Sequence, residues 1–420
     1  MQKGGGPAQA RPPGTEPPGT QPPVVELPDA QPPRVPLTVI AREWGRIGIT
    51  GFGGPPAHIA LLRRVCVQRR GWLTEAEFED GVAATSLLPG PASTQLAIFC
   101  AWRLAGWAGA LIGGACFIVP GLIIILGLSV LFLAHEPPAW VNGAAAGAGA
   151  AVPAVAVAAA VGLVPASWRR AGSARAARIR FGGYLLAGAV AANLAGQFLV
   201  AVLLGCGLAE WLARRDREDS AARSVGRRGS RPPVLLLAAK AVTAGVLGSI
   251  AWVAVKVGAL SFGGGFVIIP LMQHDAVHTY HWMTNAQFLS AVALGQVTPG
   301  PVVQTVSVVG YAAAGLPGGL LAAFVAFAPS FVFVLAGGRH FDAFRRSTAA
   351  QAFLSGAGPA AIGAIAGAAV TLGLGLTHLW QVAVLAAACC WLVILRRGVV
   401  TAIVASAGIG VAVALAGGLS

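Results

Sequence analysis

Hydrophobic positions in this chain run together; they do not alternate. Stretches such as Ala108–Ala134, Val234–Val255 (with Lys240 near its start) and Val399–Ala416 approach or exceed the about 20 residues that carry a helix across a hydrocarbon core. Continuous runs predict helices and argue against a β-barrel, whose strands alternate. Apolar segments are expected at 37–62, 78–101, 107–134, 140–165 and 181–213. The last exceeds one span at about 1.5 Å per residue, so a turn is expected at 193–197, giving two short helices. A second series follows at 234–272, 286–312, 316–338, 352–376, 378–395 and 398–417.

The interruptions of this pattern repeat. Phe52–Gly53–Gly54–Pro55 through Pro89–Gly90–Pro91 recurs 210 positions later as Phe262–Gly263–Gly264–Gly265 through Pro299–Gly300–Pro301. Trp72, Thr74, Ala76 and Phe78 fall on Trp282, Thr284, Ala286 and Phe288 without a gap. A repeat of this length signals duplication, and in so apolar a chain it predicts a transporter of two related halves. The expected division is a Pro- and Gly-rich disordered tail at 1–36, a first repeat at 37–213, an arginine-rich cytoplasmic linker at 214–233 and a second repeat at 234–420.

Composition agrees: 56% of residues are hydrophobic, 10% are charged, and mean hydropathy is +0.73. A single soluble core is excluded. The net charge of +14 lies mostly at span ends and in loops, where it sets orientation, so it gives no support for a nucleic-acid partner. Six cysteines are scattered without metal-ligand spacing. The lipid bilayer of the cell inner membrane is the expected setting, and homo-oligomerisation is left open.

Loop charge also predicts relative orientation. Loop 63–76 holds four arginines, whereas its counterpart 273–285 holds neither Arg nor Lys. Under the positive-inside rule the first is cytoplasmic and the second external. The expected fold class is therefore an all-α integral membrane protein of two homologous, inverted-topology halves, each with broken or re-entrant helices. The charge pattern holds if each Pro-Gly-Pro stretch is a hairpin of two half-helices. With 37–62 read as a broken span, the N-terminal tail is expected outside.

The candidate chemistry sits at the breaks. Pro89–Gly90–Pro91 and Pro299–Gly300–Pro301 remove backbone donors and break helices, which is tolerated at membrane depth only where backbone is buried in protein or lines a cavity. Half-helix N-termini there favour an anion, and Gly53, Gly54, Gly263, Gly264 and Gly265 allow close backbone approach. A cation recurs six residues before each motif, as Arg46 and Lys256. Lys256 stands among apolar neighbours and is read as a site residue or as a snorkelling lysine; Arg46 is read as more interfacial. Ser93, Thr94 and Gln95 follow the first break, Gln304 and Thr305 the second, with Gln296 and Thr298 just before it. All can donate hydrogen bonds without adding charge. His58 is read as a ligand contact, a proton site or a packing histidine. His274, His278 and His281 share a helical face with Asp275 alongside, but lack a fourth ligand, so no metal is assigned. No nucleophile–base pairing is present, so neither an enzyme activity nor a cofactor is expected, and acidic residues inside spans are nearly absent.

Taken together, Phe52–Pro55 with His58, Trp72–Leu73, Leu88–Pro91 with Thr94–Gln95, Phe262–Gly265 and Gly295–Pro301 resemble the chromate ion transporter family in its long, two-domain form. The resemblance extends from about 37 to 417. It implies export of chromate, conferring resistance, with sulfate as the structural analogue that competes or exchanges. Both are tetrahedral dianions suited to helix N-termini, one or two cations and neutral donors.

Overall fold

The computed structural model describes residues 34–88, 90–134, 136–172, 174–194, 198–223, 245–261, 268–337 and 347–417. Residues 1–33 of the expected tail, Pro89, Gly263–Gly265 and the second half of the linker, 224–233, therefore lie outside the described residues. Every regular element described is helical.

The first half opens with α1 (Leu37–Thr50) and α2 (Pro55–Arg63), the latter continued by a π-helical turn at Arg64–Arg69. Next come α3 (Glu75–Leu87) and α4 (Ala92–Phe132). α4 is two helices joined at a sharp reversal, where Ala105 (φ −147°) and Gly106 (φ 60°) leave helical geometry. Only residues with little penalty at positive φ fit the second of these positions. α1 and α3, at 14 and 13 residues, reach about 20 Å each, short of the ~30 Å hydrocarbon core.

They do not need to cross, because each is one arm of a hairpin. Glu77 at the start of α3 pairs with Arg103 at the end of the 92–104 arm at 2.5 Å, and Gly81 packs on Leu96 and Phe99. The arms therefore run antiparallel about Gly90. α1 and α2 make a second such hairpin. The Val35 N–H donates to the Leu104 carbonyl at 3.3 Å, and Arg63 pairs with Glu75 and Glu79. Both ends of the α1–α2 hairpin thus lie at the arginine-bearing base of the α3–α4 hairpin. This corrects the expectation for 37–62: it enters and leaves on one side, so residue 34 lies at the arginine-bearing end, not the opposite one.

Beyond the reversal, 107–132 crosses, followed by α5 (Ala139–Ala171), α6 (Arg175–Leu194) and α7 (Leu199–Arg223). The second half repeats the order with α8 (Val246–Leu260), α9 (Ile268–Gln273) and its π-helical turn His274–Thr279, and α10 (Asn285–Val297). A 3-10 turn at Val302–Gln304 leads into α11 (Thr305–Gly337), with its own reversal at Ala314–Gly315 (φ −150° and 62°). α12 (Thr348–Leu374), α13 (Leu379–Cys389) and α14 (Val399–Leu415) complete the chain.

The halves are inverted. Along the equivalent crossing segments 107–132 and 316–337, Gly114 packs on Phe331 and Gly319 on Leu126, so the two run antiparallel. Each begins at the base of its own hairpins, so the two sets of hairpins open at opposite ends of the molecule. Around this centre the outer helices approach closely through small residues. Gly143 and Gly147 of α5 meet the backbone of Gly410 and Ser406 in α14, and Gly188 of α6 meets Ala360 in α12. Such contacts let helices associate where no hydrophobic effect separates protein from lipid.

Candidate functional site

Where the hairpin tips meet is decided by backbone first. Gly90 (φ 121°) and Gly300 (φ 102°) hold the left-handed conformation that turns each Pro-Gly-Pro tip. The Gly300 N–H donates to the Gly51 carbonyl at 3.0 Å, joining the second-half tip to the end of α1. Gly121, in the first crossing segment, lies against the Pro299 carbonyl and the Gln304 side chain, and Gln304 Nε2 donates to the Ile118 carbonyl at 2.7 Å. On the other face a Cβ on Gly90 would lie 3.3 Å from the Gly258 carbonyl and 3.4 Å from Ser330 Oγ. Each tip is thus seated on the crossing segment of the opposite half.

Several of the sequence candidates gather here. Thr94 and Gln95 are fully buried in the first turn after Pro91, and Gln296, Thr298 and Gln304 are buried around the second tip. Gly54 ends the first-half loop at φ 74°, within reach of Val302. His58 is fully buried and both ring nitrogens are engaged. Nε2 lies 2.9 Å from the Gly51 carbonyl, which can only accept, so Nε2 carries the proton; Nδ1 then accepts from Ser93 Oγ at 3.2 Å. The ring edge rests on Phe117. His58 therefore ties α2 to the end of α1 and to the start of α4. Arg46 is exposed on α1, four residues before the helix ends at Thr50.

Lys256 has a partner that the sequence did not reveal. Its ammonium forms an ion pair with Asp275 in the π-helical turn, their side chains 16% and 8% exposed, and lies 5.6 Å from the centre of the Trp252 ring. The first half has a counterpart with the charges reversed. Buried Glu43 on α1 binds Arg70 at 2.6 Å and Arg69 at 3.8 Å. Each pair clamps the inward arm of a first hairpin to its outward arm. The reading that buried acids are nearly absent is corrected, since Glu43 and Asp275 are both buried and held by cations. Among the described residues a third buried acid, Glu210 on α7, is likewise held by cations, Arg180 at 2.7 Å and Arg214 at 2.9 Å. Asp275 is the sole acidic residue between Phe262 and Pro301, the one sequence signal that could have found it.

Polar atoms without a partner concentrate near the tips. Thr94 Oγ1, Ser261 Oγ, Gln296 Nε2, Ser307 Oγ and Ser330 Oγ are buried with no hydrogen-bond partner among the described residues. Buried polar groups are nearly always paired, so a cluster of exceptions asks for an explanation. The hairpins add mixed dipoles, because every tip joins a C-terminal end to an N-terminal end. Preference for an anion therefore rests on free N–H groups and these neutral donors more than on net dipole. Two surface cavities lie elsewhere: about 660 Å³ beside Arg34, Trp102 and Arg103, and about 360 Å³ among Arg170, Arg180, Glu210 and Arg214. Both are at the arginine-bearing end. Among the described residues no three metal-ligating side chains come together; His274 and His278 stand 6.1 Å apart, ring centre to ring centre.

Comparison with known proteins fits this architecture. A family model described as "Chromate transporter" matches residues 38–211 and again 248–411. The chain is 31% identical over 329 residues to a chromate transport protein of Cupriavidus metallidurans, covering 78% of this chain and 80% of that one. It is 29% identical to a probable chromate transport protein of Synechococcus elongatus (82% and 87% covered) and 26% identical to an uncharacterized transporter of Methanocaldococcus jannaschii (72% and 76% covered). No solved structure matches. With both halves matched separately, the chain belongs to the chromate transporter family.

Proposed function

We propose that this multi-pass membrane protein exports chromate across the cell inner membrane by alternating access between its inverted halves, conferring chromate resistance. The observation that carries this reading is the set of buried, unpartnered donors around the meeting hairpin tips, Thr94, Gln296, Ser307 and Ser330 among them. A tetrahedral dianion supplies several acceptor oxygens at once, and hydrogen bonds to a charged acceptor are about twice as strong as neutral ones. The proposed site comprises Gly53, Gly54, Gly90, Pro91, Thr94 and Gln95 from the first half, and Gln296, Thr298, Pro299, Gly300 and Pro301 from the second, with Gln304 seating the second tip through its bond to the Ile118 carbonyl. Pro89 and Gly263–Gly265, outside the described residues, complete the same sequence motifs.

His58 supports the site by holding Ser93 and Gly51, and Arg46 attracts the anion from the surface of α1. Lys256 takes part only if the anion draws it from Asp275. An inside-negative potential favours expulsion of anions by ~2.3 kcal/mol per charge per 100 mV, which makes export without a coupling ion energetically feasible. Sulfate has the same shape and charge, and a sulfate or general oxyanion carrier is the second reading.

Radiolabelled chromate uptake into inverted membrane vesicles, with sulfate as competitor, tests the proposal. Uptake above control vesicles that sulfate inhibits is the expected result. Robust sulfate flux without chromate flux establishes the second reading instead, and flux of neither anion overturns both.

A further inference from the structure

Buried hydroxyls on the helices of this protein follow a habit. Thr85, Ser129, Ser290 and Ser355 each donate to the carbonyl four residues earlier, at 2.7 to 2.9 Å. That bond satisfies the proton locally. Ser330, fully buried within α11, breaks the habit: its Oγ has no partner among the described residues. The carbonyl it would use, that of Ala326, faces Gly258 of α8.

The hydroxyl sits instead beside the first-half tip. A Cβ on Gly90 would lie 3.4 Å from Ser330 Oγ, 3.3 Å from the Gly258 carbonyl and 2.5 Å from Gln95 Nε2. Thr94 Oγ1, a second buried donor without a partner, follows the same tip. The equivalent of Ser330 in the first half is Gly121, one residue past Pro120 as Ser330 is one past Pro329, and it carries no donor. Duplication of the fold therefore does not account for the hydroxyl. Packing does not either, since alanine would fill the space without burying an unsatisfied group.

We infer that Ser330 is a substrate contact, its hydroxyl donating a hydrogen bond to one oxygen of a tetrahedral oxyanion held at the first-half Pro-Gly-Pro tip. The inference rests on the proposed transport reading and deepens it by naming the donor. Ser330 belongs to the second half, whereas Gly90 and Thr94 belong to a hairpin that opens at the other end. An anion bound between them bridges the two halves, and relative movement of the halves separates its donors and weakens the hold. That is what release in an alternating-access cycle requires.

The test uses wild type, Ser330→Ala and Ser330→Thr, with chromate flux in inverted vesicles and thermal melting of the purified full chain with and without chromate or sulfate. Ser330→Ala is expected to raise half-saturating chromate about tenfold or more, the scale of a hydrogen bond to a charged group, with less effect on maximal rate. Ser330→Thr keeps a donor and stays near wild type. Without anion, Ser330→Ala melts no lower than wild type, but the upward shift that chromate or sulfate produces shrinks. A wild-type half-saturation and anion-induced shift in Ser330→Ala overturn the inference. A lower melting point without anion, with half-saturation unchanged, assigns the residue to packing and overturns it too. If wild-type vesicles carry neither anion, the transport reading fails separately and melting decides. An oxyanion shift in wild type that Ser330→Ala loses upholds Ser330, and no shift with chromate, sulfate, molybdate or phosphate overturns it.

Discussion

The Pro-Gly-Pro hairpin of the first half and that of the second agree in backbone down to their closing reversals, with Ala105–Gly106 at φ −147° and 60° and Ala314–Gly315 at −150° and 62°. Their polar side chains are used differently. In the second hairpin Thr298, Gln304 and Thr305 donate to protein carbonyls, of Leu294, Ile118 and Val302, while Gln296 Nε2 and Ser307 Oγ find no partner among the described residues. In the first, Ser93 is bound by His58, and Thr94 is left without a partner. Duplication has preserved what shapes the hairpins, while the groups able to meet a ligand have diverged. The clamps on the α1 and α8 hairpins show the same divergence in charge, with Glu43 inward against two arginines and Lys256 inward against one aspartate.

That second contrast gives the largest expected effect. Lys256→Ala or Asp275→Ala leaves one buried charge uncompensated and should cost about 3 kcal/mol. The double variant should recover most of it. Arg70→Ala should cost markedly less, because Arg69 remains near Glu43. Denaturation of the purified protein measures all four. A double variant as unstable as either single would show that the pair is not the clamp described here. A stable double variant that moves no anion would place Lys256 in the transport step itself.

The tips come next. Gly90→Ala forces a Cβ into a positive-φ position and against the Gln95 amide, whereas a Cβ on Gly300 meets Gln304 only at 3.4 Å. Each substitution carries backbone strain of about 1–3 kcal/mol, and Gly90→Ala should lose more flux than Gly300→Ala in vesicles. Equal losses would remove the asymmetry between the tips.

How much of this was legible in the sequence follows from what is local and what is not. The duplicated motif exposed the two halves, and the absence of Arg and Lys from 273–285 exposed their inversion, because loop charge is written in the chain itself. The Pro-Gly-Pro breaks announced hairpins. The segment 37–62 misled, since its apolar length resembles a span, and only Val35 against Leu104 and Arg63 against Glu75 reveal that it doubles back. Asp275 lay hidden 19 residues from Lys256, across a break that no local period connects. Ser330 was invisible for another reason: one serine in an apolar helix reads as filler until its missing bond is seen.

A smaller effect should separate the neighbouring donors. Gln304→Ala removes a buried hydrogen bond to the Ile118 carbonyl and should destabilise by about 1 kcal/mol with little change in half-saturating chromate. Thr94→Val removes an unpaired hydroxyl with nearly the same shape, so stability should hold or rise while half-saturation increases. Melting and flux measured on the same two variants check the opposition, and any variant moving both quantities together argues against it.

The smallest effect lies at the hairpin bases, where the halves are most alike. Thr74 with Glu77 and Thr284 with Gln287 form matching capping boxes at the starts of α3 and α10, and Thr74→Ala and Thr284→Ala should each cost about 1 kcal/mol. Only Glu77 titrates. Burial pushes its carboxyl up, but the Thr74 backbone and side chain and the Arg103 guanidinium outweigh that and hold it below the usual 4.5. A carboxyl lowered in the folded state stabilises above its unfolded value, and the contribution is lost as pH falls through the folded one. Glu77→Gln should therefore lower the melting point near neutral pH and converge with wild type in acid below the lowered value. Gln287→Glu should install a similar acid dependence in the second half, but a weaker one, because Thr305–Gly315 offers no arginine opposite it. Equal acid slopes in wild type and Glu77→Gln would mean that the Arg103 pair at the base of the first hairpin contributes nothing to holding its arms together.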